Sequence, residues 1–334
     1  MLYILTTNPG IEDIVELEVR EKLDGKTIQK FLGLAGRVLV DTNESKRLFS
    51  LRSIYHIIRY IDQFEIDRLD DIYDYLKTIE IEEMNNANTF RVTSNRIGEH
   101  DFTSIDIQRV AGQAIVDRYA KRVDLENYDI DIICDVIGNR CIVGVKLTRE
   151  SLHKRYKHRF VHPAAIKAPL AYAMLRLASI KEGSLLDPFC GGGTIVIEAA
   201  SIYDKLKIYA SDINEEYIEG AKKNAEAAGV KERIEFRVCN AEKLDKYYTS
   251  IDAIVTNPPY GIRMGKKINL KELYKNFLIA ASKVINKDGR LVIITRKAVS
   301  FRKLTLNTNK FYLEHERVVE SGDLYPHIFV LRRL

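Results

Sequence analysis

Residues 256–261, TNPPYG, carry the residue types and spacing best suited to chemistry. An amide, two residues without backbone donors and an aromatic ring follow the apolar run Ile251-Asp252-Ala253-Ile254-Val255, which predicts a buried strand. A plain turn is built more simply from Gly, Asn or Asp. Asn257 and Pro258 instead offer two acceptors: a side-chain oxygen, and a carbonyl whose direction the prolines restrict. Two acceptors suit an exocyclic amine on a purine, whose lone pair is delocalised into the ring. Holding both N–H groups localises that pair and aims it at an electrophilic methyl group. Tyr260 offers a flat face on which a flipped base would stack, and Gly261 lets the chain turn away. Such a transfer requires no metal, no covalent nucleophile and no strong base. Asn257, Pro258 and Tyr260 are the catalytic candidates.

The elements that must position this loop alternate from residue 184 onward. Strands are expected at 184–187, 207–211, 233–239, 251–256 and 289–295, and helices at 194–203, 214–228 and 270–286. Two more strands, near 312–319 and 327–332, close the pattern. This alternation predicts a parallel sheet with helices on both faces and ligands at the carboxyl ends of the strands. The first strand runs into Asp187-Pro188-Phe189-Cys190-Gly191-Gly192-Gly193-Thr194, where glycines let a ligand lie against bare main chain. The run lacks GxGxxG and GK[ST], which weakens a pyrophosphate reading and excludes a P-loop. Asp212 ends the second strand about 20 residues past the glycines, where a carboxylate can accept from both hydroxyls of a ribose. Asn240 ends the third strand, and its side-chain oxygen could hold an adenine amino edge. Taken singly, Asp212 and Asn240 read equally well as turn or cap residues. Together, at successive strand ends, they favour an adenosyl ligand. Cys190 reads as a small packing residue.

The first half has another grammar. Tyr3–Thr7 and 36–41 read as strands, with a helix through Ile11, Ile14, Val15, Leu17 and Val19 between them. Residues 89–94 form a third strand. Thr103 or Ser104 caps a helix through Ile107, Val110, Ala111, Ala114 and Ile115. Gly138-Asn139-Arg140 joins strands 129–137 and 141–147 in a hairpin. Residues 1–150 hold 20 Lys/Arg against 27 Asp/Glu, and residues 151–334 hold 32 against 20. A polyanion would therefore meet the second half first. The basic run 154–159, Lys266-Lys267, Arg296-Lys297 and Arg302-Lys303 are candidate phosphate contacts, and so are Arg91, Arg96 and Arg109. Four cysteines without metal-ligand spacing, and no apolar run of about 20 residues, suggest a reduced cytoplasmic protein with no metal and no membrane span.

The second half resembles class I S-adenosylmethionine-dependent methyltransferases. Asn257-Pro258-Pro259-Tyr260 resembles the amino-methylating motif of enzymes acting on adenine N6, cytosine N4, guanine N2 or protein glutamine, and does not choose among them. Phe90–Tyr119, FRVTSNRIGEHDFTSIDIQRVAGQAIVDRY, resembles the THUMP domain of RNA-modifying enzymes. DPFCGGGTIVIEAA, NPPYG and the segment LHKR…HPAAIKAPLAYAML are similar to THUMP-containing tRNA guanine-N2 methyltransferases, most of all those acting on position 6. The resemblance implies an α/β fold: a class I (Rossmann-like) methyltransferase domain, 181–334, preceded by α+β ferredoxin-like (1–60) and THUMP (61–150) domains and a linker (151–180). It implies S-adenosylmethionine as cofactor and tRNA as partner, gripped at the acceptor stem and 3′ end by a monomer. His162, Pro163, Ala164, Ala165 and Ile166 would pack over the methionine end of the cofactor. Gly191, Gly192 and Gly193 would face its amino-acid part, Asp212 its ribose, and Asn240 with Ala241 its adenine. Asp187, Ile213 and Asn257 complete the expected cofactor set. Two departures stand out: Asn240 where relatives often carry Asp, and Arg155-Tyr156 where many carry R-G-Y. Guanosine 10 of tRNA and rRNA guanine remain open as alternative targets. A DNA or protein amino-methyltransferase and a catalytically dead RNA-binding module are more remote readings.

Overall fold

The computed structural model describes residues 1–261 and 269–334, so Lys266-Lys267 falls outside the described residues. The chain begins with β1 (Leu2–Thr6), α1 (Glu12–Lys22), β2 (Lys26–Gln29), β3 (Arg37–Asp41), α2 (Ser45–Leu48) and β4 (His56–Glu65). It continues with α3 (Leu69–Leu76), β5 (Thr89–Thr93), β6 (Arg96–Ile97), α4 (Ser104–Tyr119), β7 (Arg122–Val123), β8 (Ile130–Ile137) and β9 (Arg140–Lys146). These strands build one sheet in the order β2-β3-β1-β4-β9-β8-β5-β7, with β6 pairing to β8. The expected break at 60/61 falls inside β4. That strand pairs with β1 through His56–Arg59 and with β9 through Ile58–Glu65, with a register shift after Tyr60. One long strand thus fuses the two expected layers into one sheet. Thr103 is the cap of α4: its hydroxyl accepts from Asp106 N, and the Asp106 carboxylate returns the bond to Thr103 N.

The second half holds α5 (Ala168–Ala178), β10 (Glu182–Asp187), α6 (Thr194–Ile202), β11 (Lys205–Asp212), α7 (Glu215–Ala227), β12 (Ile234–Val238), β13 (Ile251–Thr256), α8 (Leu270–Val284), β14 (Ile285–Thr295), α9 (Ala298–Thr308), β15 (Phe311–Val318) and β16 (His327–Arg333). The sheet order is β12-β11-β10-β13-β14-β16-β15. Successive strand residues feed opposite cores. Leu185, Val255 and Ile294 face the core of α5, α6 and α7, while Leu186, Ile254 and Ile293 face that of α8 and α9. The expected all-parallel sheet is corrected at one edge: β16 runs antiparallel to both β14 and β15. The short return from β15 to β16 permits only an antiparallel pair. β16, with Ile328 to Leu331 buried, takes the inner place, and β15 becomes an edge guarded by charged residues. α9 was not anticipated; its buried Phe301, Leu304 and Thr305 stand at helical spacing among the basic residues that drew attention first. α5, in the segment expected to be linker, lies in the core against α6.

The two halves are bolted together. Ile11 and Ile14 join the core cluster of α5 beside Val319 and Ile328. Arg317 grips Asp13 at 2.7 and 3.0 Å, and Arg176 grips Glu21 at 2.6 and 2.7 Å. Most buried of these contacts is Glu198 on α6, which receives Arg52 at 3.0 Å and Arg155 at 2.6 Å. Arg155 also donates to the Arg52 carbonyl at 2.5 Å. Removing the carboxylate would leave two partly buried guanidinium groups without their carboxylate partner. Glu198→Ala should destabilise the protein by roughly 3 kcal/mol, read as a lower urea midpoint; an unchanged midpoint would show that the cluster is dispensable.

Candidate active site

β11, β10 and β13 are neighbouring parallel strands, so Asp212, Asp187 and Asn257 leave the sheet along one edge. Asn240 joins them just beyond β12. The loops after these strands are laced by backbone bonds: Cys190 N to Ser211 O and Cys239 N to Asp212 O, both 2.9 Å.

Gly191 and Gly193 have φ of +48° and +85°. A Cβ at Gly191 or Gly192 would come within 3.2 Å of His162, so glycine is required as much by the linker lying on the loop as by any ligand. His162 sits in a tight turn in which its Nδ1 accepts from Ala164 N (3.2 Å) and its carbonyl from Ala165 N (3.2 Å). Burial lowers the pKa of its ring, and the charge of Asp212 opposes that shift.

Sequence reasoning missed the residue that fastens this arrangement. Asn224 of α7 is buried, and its side chain makes four hydrogen bonds. Its oxygen accepts from Arg159 N (2.9 Å) and Phe160 N (3.0 Å), and its nitrogen donates to Phe160 O and Gly192 O (both 2.9 Å). The signal was present: a lone amide on the helix stripe that also holds Ile218, Ala221 and Ala225. Thr256 was missed as well; its hydroxyl donates to Asp187 Oδ1 at 2.6 Å and ties β13 to β10.

Asn257 is held by both ends of its amide. Nδ2 donates to the Ala164 carbonyl at 3.0 Å, and Oδ1 accepts from the Tyr260 hydroxyl at 2.5 Å. This fixes which end is oxygen and leaves that oxygen one further lone pair. Burial drives the Tyr260 pKa strongly upward, so its hydroxyl stays a donor. The ring expected to serve only as a stacking face is therefore also the orienting partner of the amide. Among the described residues no donor reaches the Pro258 carbonyl, while the Pro259 carbonyl receives the Tyr274 hydroxyl at 2.9 Å.

Other expected residues have more local employment. The Asn240 side-chain oxygen caps a short turn by accepting from Glu242 N (2.8 Å), and Ala241 behind it is buried. Ile166 packs against the first core cluster. Ile213 stands 68% exposed beside Asp212. Cys190 is buried, and burial raises its thiol well above the usual range, so it is no nucleophile. Two expected phosphate contacts are corrected: Arg91 is paired with Asp131 at 2.7 Å and lies over Tyr128, and Arg155 belongs to Glu198. Arg96 and Arg109 remain at the surface.

Residues 155–326 match the RMKL-like methyltransferase domain family and residues 67–146 match the THUMP domain. A protein of Archaeoglobus fulgidus named tRNA (guanine(6)-N2)-methyltransferase is 33% identical, over 98% of this chain and 91% of its own. One of the same name from Thermus thermophilus is 33% identical over 98% of both chains. The crystal structure of TrmN from Thermus thermophilus superposes with a TM-score of 0.87 at 30% identity, covering 100% of both chains. The chain belongs to the THUMP-bearing tRNA (guanine-N2)-methyltransferases.

In this methyltransferase two buried carboxylates, Asp187 and Asp212, flank the start of the glycine loop. Asp212 accepts from Gly191 N (3.1 Å) and Asn214 N (3.0 Å), and burial raises its pKa. Burial also pushes Asp187 up to about 7; Asp212 adds to that shift, while the Thr256 hydroxyl and Phe189 N–H oppose it. In the unfolded chain Asp187 ionises near 3.8. The fold therefore holds an extra proton between these values, and the stability that proton confers is lost as pH rises toward 7. A cationic ligand reverses the preference by pairing with the ionised form. Affinity for S-adenosylmethionine should rise with pH up to about 7, by at most about tenfold per unit, and Asp187→Asn should flatten the rise. Calorimetry from pH 6 to 8 measures both; a flat wild-type profile would remove Asp187 from cofactor binding.

Proposed function

We propose that this enzyme transfers the methyl group of S-adenosylmethionine to the exocyclic N2 of guanosine 6 in the acceptor stem of tRNA. The carrying observation is the Asn257 amide, held between Ala164 and Tyr260 with one oxygen lone pair free. Support for position 6 comes from the relatives of that name, which align along nearly the whole chain.

The residues at the strand ends fit the cofactor. Two buried carboxylates suit a ligand that carries an ammonium and a sulfonium, and the glycine loop suits one that lies on main chain. In this reading Asp187 and Gly191 to Gly193 hold the amino-acid part and His162 to Ile166 cover it. Asp212 takes the ribose hydroxyls, and Ile213, Asn240 and Ala241 border the adenine. S-adenosylmethionine supplies a methyl carbon made electrophilic by positive sulfur. Asn257 Oδ1 and the Pro258 carbonyl then accept the two N2–H groups and direct the nitrogen lone pair. As the new N–C bond forms, the nitrogen becomes cationic and its protons acidic, so the neutral acceptors suffice until one proton leaves to solvent.

Asn257→Ala should lower the single-turnover rate by about 10²–10³ with tRNA affinity nearly unchanged. Nucleoside mass mapping of unmodified tRNA should find N2-methylguanosine at position 6, and a transcript with adenosine there should give none. Product at another position would overturn the assignment; a wild-type rate for Asn257→Ala would overturn the mechanism.

The same reading gives the enzyme a monomeric, cytoplasmic existence; no helix among the described residues is long and apolar enough to cross a membrane. It places the single-stranded 3′ end of tRNA on the first half. A cleft of about 580 Å³, lined by Leu34, Arg37, Asn95, Arg96 and Thr103 among others, opens where β3, β5 and the start of α4 meet. Arg96 reaches only backbone carbonyls and His100. A tRNA without its 3′ tail should bind much more weakly, and Arg96→Ala should reduce the salt slope by about one unit. Filter binding across salt concentrations tests both, and equal binding of tailed and tailless tRNA would refute the placement.

A further inference from the structure

Pro258 and Pro259 carry no backbone N–H, so the catalytic loop cannot fasten itself by donating from these two residues. It is fastened through its acceptors, and one of these bonds comes from a buried chain of hydroxyls behind the loop. Tyr274, on α8, donates its hydroxyl to the Pro259 carbonyl at 2.9 Å. That hydroxyl also lies 3.1 Å from Thr295 Oγ1, at the end of β14. Thr295 Oγ1 in turn accepts from Lys297 N at 3.1 Å.

The donors in this chain have only one consistent direction. A carbonyl only accepts, so the single Tyr274 proton points to Pro259. Thr295 must then give its proton to Tyr274, and it takes one from Lys297 N. Both side chains are fully buried, Tyr274 at 1% exposure and Thr295 at 0%. The Tyr274 ring is seated edge-on against Phe301, with ring centres 5.8 Å apart. Burial pushes its hydroxyl up to about 12, which keeps the proton in place.

We infer that Tyr274 and Thr295 are positioning residues for methyl transfer, turning the Pro259 carbonyl inward so that the Pro258 carbonyl stays directed at the amine. The ring of Pro259 fixes its own φ, so a single torsion, ψ of Pro259, separates the Pro259 carbonyl from the peptide plane that carries the Pro258 carbonyl. Pinning the Pro259 carbonyl to the protein thereby limits how far the Pro258 carbonyl can turn. Neither hydroxyl touches cofactor or base; both act through the loop. This inference rests on the proposed use of Asn257 and Pro258 as acceptors.

The test is single-turnover transfer at saturating cofactor and tRNA, with separate binding measurements. Tyr274→Phe keeps the ring and its contact with Phe301. Its rate should fall about tenfold while the Kd values for cofactor and tRNA stay within about twofold. Thr295→Val should lower the rate in the same way but less, and Thr295→Ser should recover most of that loss. In the Asn257→Ala background, Tyr274→Phe should add little, because the two act on one geometry. A wild-type rate for Tyr274→Phe would overturn the inference. So would a loss that appears equally in both Kd values and in melting temperature, since that describes a packing role. Should Asn257→Ala itself react at the wild-type rate, the acceptor mechanism falls, a failure distinct from that of Tyr274.

Discussion

The bond from Asn257 Nδ2 to the Ala164 carbonyl ties the proposed catalytic loop to the linker that joins the two halves. An asparagine amide can flip at little intrinsic cost, and its oxygen is useful only while it faces the amine. Ala164 decides that orientation, and Ala164 lies on the linker. The linker is itself held at three points: by Asn224 at residues 159 and 160, by His162 against the glycine loop, and by Arg155 in the Glu198 cluster. Its N-terminal part is pinned to the first half, where Leu152 N and the Ser151 hydroxyl both donate to the Tyr55 carbonyl. One connected path of bonded groups thus runs from the first half through the linker to the Asn257 amide.

In the proposed mechanism the surroundings of that amide are neutral, and the strand ends proposed to hold the cofactor are anionic. Burial keeps Tyr260 protonated and the His162 ring short of its proton, and it holds Cys190 as a thiol. None of these can serve as a strong base near neutral pH, and amine methylation does not require one. A base strong enough to deprotonate an exocyclic amine would itself be methylated in competition. Asp187 and Asp212 are buried, the charge of Asp212 raises the Asp187 pKa, and a cationic ligand would relieve that repulsion.

Much of this was legible in the sequence. The alternation after residue 184 predicted the strands and helices of the second half, because buried parallel strands and amphipathic helices have different periods. Asp187, Asp212, Asn240 and Asn257 at successive strand ends predicted one shared edge. What stayed hidden depends on the partners a side chain finds in three dimensions. Nothing local says that Tyr260 bonds back to Asn257, that Asn240 caps a turn, or that Arg91 finds Asp131 forty residues away. The antiparallel place of β16 was hidden for a similar reason: a short apolar run such as Ile328 to Leu331 fits an inner strand of either direction. Asn224 was the exception, since an amide on an apolar helix stripe is visible and simply was not read as a bracket.

The charge asymmetry between the halves also takes on a different meaning. Much of the positive excess of residues 151–334 is structural. Arg176 and Arg317 answer carboxylates of the first half, Arg290 and Arg302 are forked onto Glu314 and Glu316, and Arg332 adds a single bond to Glu314. A planar guanidinium matches a carboxylate bidentately, which makes arginine the suitable residue for such fixed pairs. Among the described arginines of this half, Arg159, Arg296 and Arg333 have no carboxylate within ion-pair distance, and Arg333 donates to the Ile285 carbonyl. That leaves Arg159, which joins the linker bracket through its backbone, and Arg296, whose charge is felt at Tyr260. In the proposed reading, a nucleic acid approaching this edge would meet these two guanidinium groups, neither of which is already committed to a carboxylate.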